Sequence, residues 1–288
     1  MTRRVIAVAI IAVWVVGLGL LYQRTTNRTP EQDLVEAGMR VSPATYYYIL
    51  EQGGRQVGAA SSALDTTNSR IISNDFVRGA IPVGDGVLQL EARSEARFTR
   101  GLRFRDVVIR ATGDLTPFFL RGAMQEGENA TLRVTAENSG EKPITLESPV
   151  TSPVFIPTVA PVPLMLRGNP KIGDSLRITL FDPVTRGARE VTLRIEADSL
   201  FLVADSAHLD TATRRWVRAR QDSLRGWRIT SRNAPFTAWV DAYGRLIAAS
   251  EPGGITLVRT AFEMAFENWR LDQLLSPADS GTAKDFTQ

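Results

Sequence analysis

The feature that most constrains the fold is a succession of short β-patterned segments that begins at Thr45. The first two segments, Tyr46 to Glu51 and Gln56 to Leu64, flank Gly53-Gly54 and predict a hairpin. Further segments follow at a spacing of roughly 10–14 residues, without helices between them and separated by Gly, Asp and Asn turns. They are Arg70 to Ile81, Gly86 to Thr99, Phe104 to Thr112, Thr116 to Met124, Ala130 to Asn138, Pro143 to Glu147, Ser175 to Phe181, Arg189 to Ala197, Ser199 to Asp205, Arg214 to Ala219, Gly226 to Arg232, Phe236 to Val240 and Arg245 to Ser250. This pattern predicts an antiparallel meander.

Three segments depart from the β pattern. Residues 149–163 contain five prolines among apolar residues, a density that neither a helix interior nor a central strand tolerates. We expect this crossover to lie irregularly over one face of the sheet. Thr260 to Leu275 has apolar residues at helical spacing, and Pro30 to Met39 follows the helix cap Thr29. The expected fold is mainly β, a curved antiparallel sheet of half-barrel shape with a C-terminal helix.

The N-terminus predicts one transmembrane helix. Val5 to Tyr22 is an unbroken apolar run, and at about 1.5 Å per residue it reaches roughly 27 Å, close to the thickness of the hydrocarbon core. A cleaved signal peptide is the alternative, but the run does not end at a small-x-small cleavage site. Arg3 and Arg4 favour a cytoplasmic N-terminus. We therefore expect a single-pass protein of the bacterial inner membrane with a periplasmic body.

These features divide the chain into four parts. Residues 1–24 form the membrane anchor, 25–44 a tether, 45–276 the extracytoplasmic β domain and 277–288 a polar tail.

Composition excludes several classes of function. Outside the anchor, acidic and basic residues balance and are interspersed, so the sequence does not predict a nucleic-acid partner. The chain has no cysteine, and therefore no disulfide, no thiolate nucleophile and no lipoprotein acylation site.

The sequence also lacks the usual motifs of enzymes. The single histidine, His208, has Asp205, Ser206 and Asp210 nearby, but neither a nucleophile elbow nor an H-E-x-x-H motif is present. We interpret His208 as a surface-loop residue. The acidic residues supply many carboxylate pairs, and nothing selects one pair as catalytic. We predict no catalytic residue, no cofactor and no metal site.

The crossover and the C-terminal helix allow two interpretations. They cover the concave side of the sheet and form its core, or they leave a groove for an apolar ligand or a partner protein. Tyr46-Tyr47-Tyr48 fits either ordinary β propensity or an aromatic belt near the membrane. The candidate partner contacts are Phe155, Ile156, Val159, Phe262, Phe266 and Trp269.

Two segments carry a resemblance. Gly173 to Thr185 with Arg189 to Leu193, and Phe236 to Ile247, together with the Gly53 to Gly58 hairpin, resemble the β-rich extracytoplasmic region found ahead of transglutaminase-like domains in bacterial membrane proteins. The resemblance covers roughly residues 45–260. It implies a curved antiparallel sheet around helical and irregular elements. The Cys and His-Asp of the transglutaminase-like domain have no counterpart here, so no catalytic residue is carried over.

Two functions remain. The first is a non-enzymatic structural or assembly subunit of a larger inner-membrane complex, held to the bilayer by residues 5–22. The second is a periplasmic carrier or sensor that binds a lipid-like apolar ligand in the concave sheet. An open apolar cavity of several hundred Å³ would favour the carrier.

Overall fold

The computed structural model describes residues 29–275, apart from 84–85, 115–116, 126–129, 139, 141, 184, 232–236 and 252–253. The strands in this part of the chain are β1 Ala44–Gln52, β2 Arg55–Thr66, β3 Arg70–Val83, β4 Gly86–Thr99, β5 Phe104–Gly113, β6 Phe118–Gln125, β7 Thr131–Asn138, β8 Ile144–Pro149, β9 Val154–Phe155, β10 Ser175–Asp182, β11 Gly187–Asp210, β12 Arg215–Ser231, β13 Thr237–Val240, β14 Leu246–Glu251 and β15 Ile255–Thr260. The helices are α1 Pro30–Arg40, α2 Pro161–Leu166 and α3 Asn268–Leu275, and a π-helical turn, Glu263–Glu267, precedes α3.

All these strands belong to one open, curved sheet. Its order is β8-β7-β6-β5-β4-β3-β2-β1-β15-β14-β13-β12-β11-β10-β9. Neighbours pair antiparallel except β9 and β10, which are parallel. Two meanders thus meet at β1 and β15, where Tyr47 pairs with Thr260. The prediction of a mainly β, curved antiparallel sheet is confirmed.

The first hairpin confirms its turn signal. Gly53 and Gly54 have φ of 58° and 78°, a left-handed conformation that glycine adopts without strain.

At two other places the sequence pattern predicted two short strands where the structure has one long strand. The predicted pairs of strands around Asp198 and Gln221 are continuous parts of β11 and β12. A register irregularity between Ile195 and Ala197 shifts the alternation of buried and exposed residues, which explains the apparent break. Strand β15 was not predicted from the sequence.

The crossover fills much of the inner face of the sheet, defined here as the face that α2 covers. Phe155, Ile156 and Val159 are buried, with exposed fractions of 0%, 4% and 1%. Phe155 stacks on Phe98 of β4 with ring centroids 6.0 Å apart. All six residues of α2 are buried as well. The three crossover residues are therefore core residues, and their prediction as exposed partner contacts is wrong.

Helix α1 packs on the body. The predicted cap is confirmed, because Thr29 and Gln32 form a reciprocal capping box. Leu34 and Ala37 lie in the main core, and a Cβ on Gly38 would overlap the Arg100 carbonyl group. The predicted tether is thus wrong for residues 30–40, which dock against the sheet. The predicted anchor and the polar tail lie outside the described residues.

The C-terminal helical segment packs on the opposite, outer face. It begins after Thr260, which still belongs to β15, so the predicted helix starts too early. The Tyr47 ring meets the Phe262 ring edge-on at 5.1 Å, and Phe266 stacks on Phe76 at 6.1 Å. Trp269 is 6% exposed, whereas Phe262 is 42% exposed. Of the predicted helix contacts, Phe262 is the most accessible.

The β11–β12 hairpin reaches this helical segment with its tip. The Asn268 side chain accepts from the Trp216 backbone N–H and donates to the Trp216 carbonyl, both at 2.8 Å. Arg215 forms an ion pair with Asp272. The hairpin tip and α3 therefore form one packed unit.

Within the described residues, no helix combines the length and the apolar character needed to cross a bilayer.

Candidate ligand-binding cavity

The inner face retains a cavity beside the crossover. Its volume is about 380 Å³. At roughly 30 Å³ each, the share of one water molecule in the liquid, about a dozen heavy atoms would fill it. Its walls come from β1 to β5, β13 to β15 and the crossover; the lining residues include Ala44, Tyr46, Tyr48, Ala60, Ser62, Leu64, Asp75, Val77, Ala92, Ser94, Ile109, Pro157, Thr158, Pro161, Ala238, Val240, Gly244, Arg245, Leu246, Ala249 and Leu257.

Small side chains leave this space open. Ala60, Ala92, Ala238 and Ala249 occupy inward-facing strand positions where larger apolar residues would fill the core. The apolar walls and the small number of polar groups resemble the general character of small-molecule pockets.

One polar group of the cavity is Asp75 of β3. One of its carboxylate oxygens accepts from Ser62 Oγ at 2.6 Å, and the other accepts from Thr158 Oγ1 at 2.9 Å. Ser94 Oγ lies 3.3 Å from the second oxygen. Burial raises the pKa of the Asp75 carboxyl above its ordinary value of 3.8, although these hydroxyl groups oppose the shift. Thr158 also ties the crossover to the sheet at this point.

Two tyrosines of β1 face the cavity. Tyr48 is 3% exposed, and its hydroxyl donates to the Leu246 carbonyl at 3.4 Å. Burial raises the pKa of the Tyr48 phenol, so this side chain is neutral across the physiological range. The Tyr46 ring lies under the Arg259 guanidinium, which is 3.4 Å from the ring centroid.

A tight turn, Asp241 to Arg245, closes one end of the cavity. Asp241 Oδ1 accepts from the backbone N–H groups of Tyr243 and Arg245, at 2.9 and 3.0 Å. Gly244 has φ of 75°, and a Cβ there would lie 2.6 Å from Val162 Cα of α2. Glycine is thus required both by the backbone conformation and by the contact with α2.

Arg245 follows this glycine and is 8% exposed. Its guanidinium donates from Nη1 to Tyr46 Oη at 2.7 Å, and from Nη2 to the carbonyl and the hydroxyl of Ser42. The cavity therefore carries a buried cation at the turn and a carboxyl group with a raised pKa on β3.

The sequence-based candidates lie apart from this cavity. His208 is exposed and belongs to β11, where it pairs with Val217, so its assignment to a loop is wrong. Phe262, Phe266 and Trp269 belong to the outer face. Within the described residues no three His, Cys, Asp or Glu side chains are grouped as metal ligands.

The sequence analysis missed Asp75, Tyr46 and Arg245 as site residues. A signal for Asp75 does exist, because Ser62, Asp75 and Ser94 are polar residues at inward-facing positions of three strands. Such positions are otherwise apolar in a sheet with one covered face.

Comparisons with known proteins include two solved structures of weak similarity. No protein-family profile matches it, and no curated protein matches it either. A solved β-barrel-like protein of the domain of unknown function DUF1849 from Brucella abortus is similar at a TM-score of 0.47 and 12% identity, covering 77% of this chain and 96% of that protein. A solved DUF1089 family protein from Pseudomonas aeruginosa is similar at a TM-score of 0.36 and 13% identity, covering 68% of this chain and 90% of that protein. Both TM-scores lie below 0.5, so we infer nothing about this chain from these likenesses.

Proposed function

We propose that this protein is a binding protein that holds a small, mainly apolar molecule in the inner-face cavity. The observation that carries the proposal is the cavity of about 380 Å³, which is lined by alanines and other apolar side chains. A space of this size falls within the range of ligand pockets, roughly 300–1,000 Å³. A carrier or a sensor of a lipid-like ligand is the role that fits such a site.

In this proposal the protein is anchored in the membrane. An anchor over residues 5–22 would hold the cavity close to the bilayer, on the periplasmic side, where lipid-like molecules are abundant. We propose a binding role for the cavity rather than a catalytic one, because the exposed His208 lies outside the cavity lining. The alternative role of an assembly subunit loses support, since Phe155, Ile156 and Val159 are buried.

Photolabelling tests the proposal. The probe is a ten-carbon alcohol that carries a diazirine, added to the full chain in lipid nanodiscs, with labelled peptides identified by mass spectrometry. We expect labelling of the strands that line the cavity. Ala92→Phe, which places a ring in the cavity, should reduce this labelling several-fold, because the ring occupies the volume of the ligand.

Ala123→Phe is the matched control. Ala123 is also a partly buried strand alanine, but it lines a groove on the outer face. Circular dichroism verifies that both variants fold. Labelling spread evenly over the chain, or labelling that Ala92→Phe leaves unchanged, would contradict the proposal.

A further inference from the structure

The buried positive charge of Arg245 bears on which ligands the cavity can hold. Arg245 is a cation that is more than nine-tenths buried, and its hydrogen-bond partners in the described part of the chain, Tyr46 and Ser42, are neutral. A buried charge is expensive unless an opposite charge accompanies it. It therefore matters whether a carboxylate of the protein already pairs with the Arg245 guanidinium.

The carboxylate of the same turn, that of Asp241, is engaged elsewhere. Asp241 Oδ2 accepts from Arg259 Nη1 at 3.1 Å in a largely buried ion pair. Asp241 Oδ1 accepts from two backbone N–H groups of the turn. Arg245 and Arg259 both lie against the Tyr46 ring, at 5.3 and 3.4 Å from its centroid. Among the described residues, therefore, Arg259 takes the Asp241 carboxylate, and the hydrogen bonds of the Arg245 guanidinium go to Tyr46 and Ser42 alone.

Among the described residues, part of the donor set of Arg245 has no hydrogen-bond partner. A guanidinium group has five N–H donors, and three hydrogen bonds to Tyr46 and Ser42 occupy part of this set. Because Arg245 lines the cavity, a ligand atom can reach the guanidinium group. A carboxylate is the natural complement, since guanidinium and carboxylate form charge-assisted hydrogen bonds of fixed geometry.

The cavity wall also carries one acidic group. Asp75 lines the same cavity, and an ionised Asp75 would oppose an anion. Burial favours the protonated form of this carboxyl group. Apart from hydroxyl groups and the exposed Arg93, which pairs with Glu91, the other lining residues are mainly apolar, and the cavity accommodates about a dozen heavy atoms.

We propose that the ligand of this cavity is a single-chain amphiphile with a carboxylate head, held by Arg245, and an aliphatic tail, held by the alanine-lined walls. This inference rests on the proposed function, because it names the ligand class of the same cavity.

Competition against the photoreactive alcohol tests the head group. Three unlabelled competitors of equal chain length are compared on the full chain in nanodiscs at neutral pH, namely decanoate, decan-1-ol and decyltrimethylammonium, with free concentrations measured. We expect decanoate to displace the probe at a concentration about tenfold lower than decan-1-ol. The cationic competitor should be the weakest of the three, because it places a positive charge beside Arg245.

Variants of Arg245 assign the preference to this side chain. In Arg245→Met the preference for decanoate over decan-1-ol should fall to about one. Arg245→Lys keeps the charge and should retain most of the preference. If Arg245→Met does not fold, the ranking of the three competitors on the wild type decides the head group, and Arg245→Gln replaces Arg245→Met, with the preference again expected to fall to about one.

The failures are distinguishable. Equal displacement by decanoate and decan-1-ol in the wild type would overturn the carboxylate head and leave the cavity proposal standing. A preference that persists in folded Arg245→Met would overturn the role of Arg245. Cavity labelling that no competitor reduces would overturn the proposed function as well.

Discussion

At the scale of single residues, Asp75 couples the cavity to pH. Its carboxyl group has a raised pKa in the folded protein, so the folded state binds more protons than the unfolded state above pH 3.8. The free energy of unfolding should therefore fall as the pH rises from 3.8 through the folded-state pKa. The same ionisation would add a negative charge to a cavity that already contains a buried arginine.

We predict that Asp75→Asn removes this contribution to the pH dependence. The amide is nearly isosteric: its oxygen accepts from one of the two hydroxyl groups, Ser62 or Thr158, and its NH2 group donates to the oxygen of the other, but it does not ionise. Urea unfolding between about pH 4 and pH 8 measures the effect, and the variant should lose less stability than the wild type as the pH rises. Asp65→Asn, at an exposed position on β2, is the control and should follow the wild type. Parallel curves for Asp75→Asn and wild type would contradict the prediction.

The site itself was not predictable from the sequence. Arg245 sits after a turn at the start of a strand, a position where arginine is ordinarily exposed. Its burial arises because Gly244 brings the turn onto α2, a contact between residues far apart in the chain. The cavity likewise depends on alanines of distant strands facing one another, and periodicity within one strand carries no information about this arrangement.

At the scale of elements, the local signals were the reliable ones. The capping box at Thr29 and the glycine turn after Gln52 depend on neighbouring residues, and the structure has both. The errors came from tertiary context. A register irregularity broke the pattern of β11, and the prolines of the crossover hid a buried two-residue strand and a buried helix.

The junction between the β11–β12 tip and α3 yields a prediction at this scale. Asn268→Ala removes the side-chain amide that binds both the N–H and the carbonyl group of Trp216. The loss should cost about 1–3 kcal/mol of local stability. The hairpin tip should then open more often, and trypsin should cleave after Arg214 several-fold faster. The comparison uses limited proteolysis of the folded protein.

Asn74→Ala provides the matched control. Asn74 is an exposed asparagine of β3 on the outer face, away from the hairpin tip. Its removal should leave the rate of cleavage at Arg214 unchanged. Equal rates for Asn268→Ala and the wild type would mean that Arg215 and Asp272 hold the tip without Asn268.

At the scale of the whole molecule, we predict the membrane topology from Arg3, Arg4 and the apolar run of residues 5–22. Protease added to intact bacterial spheroplasts should digest the β domain, because we expect it outside the cytoplasm. A cytoplasmic marker protein should survive in the same sample and be digested after lysis. Protection of the β domain in intact spheroplasts, followed by its digestion after lysis, would reverse the orientation.

The order of strands in the sheet has a consequence for how the chain folds. Among the described strands, each strand of β1 to β8, and each of β10 to β15, pairs with its neighbour in the chain, so these contacts close short loops. The ladder between β1 and β15 differs, because it joins Tyr47 to Thr260 and closes nearly the whole described chain. Long-range β pairing of this kind is slow, since loop entropy is lost before the contacts form. We therefore expect each meander to form its hairpins early and the pairing of β1 with β15 to limit the folding rate.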